Sequence, residues 1–151
     1  GLALRASGYG KKILFCQFIK GSWKTGEDKA LKKITRLTHK KFGVGFILPE
    51  DSTAKTAKHK KAAQNGIEFV KENIAKYDLV ILDEIVYAIG LGLVELNEVI
   101  DILNNNRSTD IVLTGRKKIK KIIEISDLAS EIKKTKHPFD EGKKAKKGID
   151  Y

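Results

Sequence analysis

The chain has no methionine, so no initiator residue is present, and it opens directly in an apolar repeat. It is expected to be a piece beginning mid-helix, with something preceding it. The single cysteine, Cys16, excludes an internal disulfide, and its neighbours Leu14, Phe15 and Phe18 point to a buried structural thiol rather than a reactive one. No stretch approaches the roughly 18 consecutive apolar residues that a membrane span needs, and no charged-then-apolar leader opens the chain. A soluble cytoplasmic protein is expected. His39, His59 and His137 are scattered, with no Cys or second His at a ligand spacing, which argues against a zinc or iron site. No Ser, Cys or Lys stands out as a nucleophile. The phosphate loop G-x-x-x-x-G-K-[ST] is also missing, which would ordinarily count against nucleotide binding; the missing start excuses it.

What is present suits one well-buried domain: 151 residues, 41% of them hydrophobic. Thirty basic against nineteen acidic residues give a net charge of +11, which favours a polyanionic partner, from a nucleoside triphosphate to nucleic acid. The basic residues are nearly all Lys. Only Arg5, Arg36, Arg107 and Arg116 can make the forked contacts that base-edge reading employs, which counts against nucleic acid. Lysine pairs such as Lys60-Lys61 and Lys120-Lys121 suit solvated faces of helices and turns.

Along the chain, Leu2, Ala3 and Ala6 recur at helical spacing until Gly8 and Gly10, where a first helix should stop. Lys12 to Phe18 reads as a buried strand followed by a loop at Lys20-Gly21-Ser22. Residues 26 to 38 are expected to form a short helix, and Phe42 to Leu48 a second strand ending at Pro49. Ala57, Ala63, Ile67, Val70 and Ile74 share one face of a long helix that ends near Tyr77. Asp78-Leu79-Val80-Ile81-Leu82-Asp83-Glu84 is an apolar run that stops abruptly in two carboxylates, the way a central parallel strand delivers acids to its carboxyl end. A helix over Glu95 to Leu103, a strand over Asp110 to Leu113, a helix over Lys118 to Ile125 and a strand over Leu128 to Ile132 complete the alternation. The last segment, from Lys136 to Tyr151, is polar and contains glycine, and is expected to be irregular, with at most one short helix. The pattern predicts an α/β fold, a mostly parallel sheet covered by helices on both faces, with its site at the strands' carboxyl ends.

Asp83 and Glu84 are the candidate metal residues, because an acid ending such a strand in a nucleotide-binding domain holds Mg²⁺ beside the phosphates. A helix cap or a solvated pair would look the same in sequence. Thr114-Gly115-Arg116 ends the next strand, where Arg116 could reach an anion and Gly115 permits close backbone approach; a surface turn is the alternative. In the loop after the first strand, Trp23 could stack on a ligand or cover a core edge, and Glu27 follows it.

The order of these motifs resembles the bacterial ATP:corrinoid (cob(I)alamin) adenosyltransferases of cobalamin synthesis and salvage, from Gly1 to Tyr151. The resemblance is carried by Gly1-Leu2-Ala3-Leu4-Arg5-Ala6, Gln17-Phe18-Ile19-Lys20-Gly21 with Gly26-Glu27, Leu82-Asp83-Glu84 and Leu113-Thr114-Gly115-Arg116. It continues in Ser130-Glu131, Lys136-His137, Phe139-Asp140, Gly142, Ala145 and Gly148-Ile149-Asp150-Tyr151. It implies a RecA-like P-loop domain, with a loop of the form GNGKGKTT belonging immediately before the first helix and therefore outside this numbering. It also implies ATP and a reduced corrinoid as substrates, Mg²⁺ at Glu84 with Asp83 behind it, and Arg116, Glu27 and Trp23 near the nucleotide or corrinoid. Phe46 and Leu48 are implied as an apolar wedge against the corrinoid, although the family pattern Gly-Phe-x-Trp has Trp where this chain has Leu48. A homodimer and a flavodoxin or corrinoid reductase as electron donor are the implied partners. A basic RecA-like nucleic-acid-binding module and another P-loop ATPase remain the alternatives.

Overall fold

The computed structural model describes residues 1–21, 25–45 and 53–149. Four parallel strands, β1 (Ile13–Gln17), β2 (Leu37–Lys41), β3 (Leu79–Asp83) and β4 (Asp110–Leu113), form one sheet in the order β2-β1-β3-β4. Both central strands, β1 and β3, are near-continuous apolar runs because each must bury side chains on two faces. Their register sets Ile13 against Leu79 and Gln17 against Asp83, so polar residues at both carboxyl ends arrive side by side.

Alternation along the strands separates two cores. Leu14, Cys16, Val80 and Leu82 face α3 (Thr53–Asn73), α4 (Ile85–Gly90) and α5 (Leu96–Asn105), which contribute Ala63, Ile67, Val70, Ile85, Ala88, Val99 and Ile102. Ile13, Leu79 and Ile81 face the other way, with Ala3 and Ala6 of α1 (Leu2–Gly8) packed on them. Helices therefore cover both faces, as the α/β reading requires. Cys16 is fully buried and its thiol pKa is pushed up to about 12 by burial, partly offset by Lys40, so it is a structural residue.

Two expected strands are corrected. The second runs over Leu37–Lys41 rather than Phe42 to Leu48; residues 42–45 are irregular, and 46–48 lie outside the described residues. β2 lies outermost in the sheet, so it needs no continuous apolar run: Leu37 joins the α1-side core, while Lys40 lies 5.2 Å from the Phe69 ring centroid on the other side. Phe42 instead packs just past the strand, between Phe18 and Phe69, at 6.0 and 5.6 Å between ring centroids. The helix expected over 26 to 38 is correspondingly short, α2 (Gly26–Leu31), and the chain turns at Arg36, whose φ is +60°. Leu128 to Ile132 is not a strand. Leu128 and Ile132 are 84% and 97% exposed, and two apolar side chains separated by Ala129, Ser130 and Glu131 supply no continuous face to bury. The short helix α4 went unanticipated, whereas α6 (Lys120–Ile125) and a single 3₁₀ turn at Pro138–Glu141 match the reading of the carboxyl-terminal third.

Gly66, in the middle of α3, faces the aromatic trio: a Cβ there would sit 2.8 Å from Phe42 Cγ and 2.9 Å from Phe18 Cε1. Alanine is the better helix former by about 1 kcal/mol, but overpacking a filled core costs about 1–3 kcal/mol. Gly66→Ala should therefore lower the thermal midpoint; a raised midpoint in a melting experiment would show that the aromatic contact is loose.

Candidate functional site

All four strands point the same way, so their carboxyl ends share one edge, and polar side chains cross it as a connected row. On β1, Gln17 is only 2% exposed; its Nε2 donates to Asp83 Oδ2 at 3.1 Å, and its Oε1 meets Nε2 of His39, from β2, at 2.9 Å. On the other side the Thr114 hydroxyl donates to Asp83 Oδ1 at 2.9 Å and accepts the backbone N–H of Glu84 at 2.9 Å. Both oxygens of Asp83 are thus occupied by neighbours that fix its orientation.

Glu84 is held in an unusual conformation. Its φ and ψ are +62° and +17°, the left-handed region, which costs a non-glycine residue roughly 1–2 kcal/mol. The turn is closed by the bond to Thr114 and by Val86 N–H donating to Thr114 O at 3.1 Å. Turning here carries the chain from β3 into α4, and leaves the Glu84 side chain beside the edge. Oε1 lies 3.7 Å from Nε of Arg116, a loose pair because Arg116 is 75% exposed and also leans over the Tyr87 ring. Oε2 is shielded from solvent and has no hydrogen-bond partner among the described residues. An orphaned carboxylate oxygen costs about 1–3 kcal/mol or more unless something positive completes it. Its chemistry fits a hard divalent cation of the Mg²⁺ type, which is held by one or two carboxylates together with substrate phosphates rather than by a closed protein cage. Among the described residues there is no cluster of three or more His, Cys, Asp or Glu groups able to enclose a metal.

Gly115 also proves necessary, for a reason internal to the fold. A Cβ there would lie 2.6 Å from Tyr87 N and 2.7 Å from Val86 Cβ, so only glycine lets the loop after β4 lie against the start of α4. Arg116 and Glu84 are brought together by that close approach.

The loop after β1 adds a cation. Lys20 Nζ bonds Glu27 Oε1 at 2.9 Å. Burial works against the Lys20 charge, yet the hydrogen bond from Glu27 and the negative charges of Glu27, Asp83 and Glu84 together hold its pKa above the ordinary value. Glu27, despite some burial, is held below its ordinary value chiefly by the same lysine. The expected residues Glu27, Asp83, Glu84 and Arg116 therefore belong to one edge, whereas Trp23, Phe46 and Leu48 lie outside the described residues. Gln17, Lys20, Thr114 and His39 also meet at this edge, although the sequence named Gln17, Lys20 and Thr114 only as parts of motifs and His39 only among the scattered histidines. A polar residue ending an apolar strand, as Gln17 does, is the signal that could have found the first of them. A shallow groove lined by Lys71, Asp101, Ile102, Asn105 and Asn106 joins the carboxyl ends of α3 and α5, and so lies toward the opposite edge of the sheet.

The family model described as ATP:corrinoid adenosyltransferase BtuR/CobO/CobP matches residues 1–151. The chain belongs to this adenosyltransferase family. It is 34% identical to the corrinoid adenosyltransferase of Escherichia coli (strain K12) and 35% identical to that of Salmonella typhimurium, in each case over all of this chain and 76% of the relative. The corrinoid adenosyltransferase of Pseudomonas aeruginosa is 32% identical over all of this chain and 75% of its own length. An adenosyltransferase with a parallel sheet, helices on both faces and acids at its carboxyl edge has the RecA-like α/β architecture that the sequence suggested.

The strain and the orphaned oxygen at Glu84 make a stability prediction opposite in sign to most substitutions at a site. Glu84→Gly should raise the unfolding free energy by about 1 kcal/mol, since glycine adopts positive φ freely and the loose Arg116 pair offsets little. Urea unfolding checks this, and a destabilised variant would mean that the turn is not strained.

Proposed function

We propose that this adenosyltransferase moves the 5′-deoxyadenosyl group of ATP onto the cobalt of a reduced corrinoid, giving the adenosylated corrinoid and triphosphate. Cobalt in the Co(I) state supplies the electron pair of the new Co–C5′ bond; the C5′–O bond breaks, and its electrons leave on the intact triphosphate. Attack at carbon by the substrate itself needs no general base, unlike hydrolysis, in which a water must be oriented at phosphorus. The protein's tasks are placement of two substrates and stabilisation of the charge that develops on the leaving group.

The observation that carries this reading is the buried Oε2 of Glu84 at the carboxyl edge, without a hydrogen-bond partner among the described residues, within a chain of this family. Glu84 would hold Mg²⁺ through that oxygen, with Asp83 behind it, fixed between Gln17 and Thr114. The ion, when bound, offsets charge on the triphosphate. Lys20, kept charged beside Glu27, and the exposed Arg116 are the cations that steady the phosphates. Phe46, with Leu48 as its smaller companion, is assigned on sequence grounds as the apolar wedge that displaces an axial ligand from cobalt and so eases reduction from Co(II). A homodimer working in the cytoplasm with a flavodoxin or corrinoid reductase completes the reading; the net charge of +11 is complementary to an acidic electron donor. No helix among the described residues is long and apolar enough to cross a membrane.

Anaerobic incubation with MgATP and chemically reduced cobalamin should yield a light-sensitive cobalt–carbon product together with triphosphate. Release of inorganic phosphate from ATP without any corrinoid would replace the proposal with an ATPase in which Glu84 activates water. Glu84→Ala should lose most of the product, on the order of 100-fold in rate, as expected when a charge-stabilising group is removed. Phe46→Ala should be impaired chiefly when the starting material is Co(II) with a mild reductant and far less when Co(I) is supplied; equal impairment in both assays would deny Phe46 its role in reduction.

A further inference from the structure

We infer that Gln17 and His39 form a positioning relay that holds Asp83 in its working orientation. This deepens the reading of Asp83 and Glu84 as the acids that serve Mg²⁺, and it rests on that reading. The argument is one of donors and acceptors. An ionised Asp83 can only accept, so the Gln17 amide must turn its NH₂ toward Oδ2, the contact at 3.1 Å. That leaves Gln17 Oε1 facing His39 Nε2 at 2.9 Å, and a carbonyl oxygen can only accept. His39 must therefore carry its proton on Nε2, and Nδ1 is left facing Asp28 Oδ1 at 3.9 Å.

The imidazole is itself fixed. It stacks on Phe15, with ring centroids 5.3 Å apart and planes 21° from parallel. Asp28 is anchored by Lys41 Nζ at 2.7 Å and by the backbone N–H of Thr25 at 2.9 Å, so α2 and β2 are tied to the same relay. Burial first, and Lys41 to a smaller degree, hold His39 below the ordinary histidine pKa, against the opposing charges of Asp28, Glu27 and Asp83. The donation to Gln17 needs the proton on Nε2, whichever charge the ring carries. From β2 through β1 to β3 the chain of contacts is His39 to Gln17 to Asp83, and the Thr114 hydroxyl closes it on the far side. Neither Gln17 nor His39 need touch a substrate; their effect passes through Asp83. Groups that orient a metal-serving carboxylate typically matter by roughly 10–100-fold in metal affinity or activity.

Two measurements on the full chain test this. Nitrogen NMR of the imidazoles above the histidine transition, with the His39 signal assigned by its loss in His39→Gln, should report the Nε2–H tautomer in the unmodified protein; a predominant Nδ1–H tautomer overturns the relay. Calorimetric MgATP binding without corrinoid should weaken roughly tenfold in His39→Leu and be restored to within about twofold in His39→Gln, whose amide can still donate to Gln17. Equal weakening in both variants, or in neither, overturns the positioning role, and the tautomer measurement decides even if His39→Leu does not fold. Glu84→Gln separates the two claims: an unchanged Mg²⁺ dependence of ATP binding overturns the metal reading, and the relay's role with it. A shifted dependence in Glu84→Gln with none in His39→Leu overturns the relay alone.

Discussion

The Thr114 hydroxyl, shared between the Asp83 carboxylate and the Glu84 backbone N–H, is the contact on which the carboxyl edge depends. A hydroxyl has one proton to give and lone pairs to receive, and both capacities are used here. Its donation fixes one acid, and its acceptance stabilises the left-handed turn that aims the other. The contact exists because β3 and β4 pair in the register that sets Leu82 against Leu113, so the residue after β4 arrives beside the acid that ends β3. Sheet register thus becomes site geometry without any long loop between them.

Stability is given up at this edge. A non-glycine residue sits at positive φ, one of its carboxylate oxygens is shielded from solvent with no partner among the described residues, and a lysine and a glutamate hold each other charged against partial burial. Each of these features would be selected against in a purely structural turn. The two cores on either side of the sheet supply what the edge lacks: β1 and β3 are almost wholly buried, and α3 closes one face with Ala63, Ile67 and Val70.

How much of this could be read beforehand depended on whether a residue's role was local. β3 and its two acids were legible because an apolar run ending in carboxylates declares both its burial and its polar tip, and α3 was legible from Ala63, Ile67 and Val70, although Ala57, read on the same face, is exposed. β2 was not, because Leu37-Thr38-His39-Lys40-Lys41 is polar and becomes a strand through its neighbour β1 rather than through its own pattern. The row from His39 to Gln17 to Asp83 was hidden for the same reason: its members are 22 and 66 residues apart, and only the register of two parallel pairings aligns them. Gly115 was marked as a place for close backbone approach, and the neighbour it admits in the fold is the start of α4.

Cys16 carries a consequence for the conditions under which such chemistry runs. The Co(I) corrinoid of the proposed reaction demands a strongly reducing medium, in which disulfides are cleaved and any exposed thiolate competes as a soft ligand or nucleophile. The one sulfur in this chain is enclosed between the central strands and α3, and it stays protonated far above neutral pH. Its tertiary structure therefore contains no covalent cross-link for a reductant to open, and it offers the corrinoid no rival sulfur.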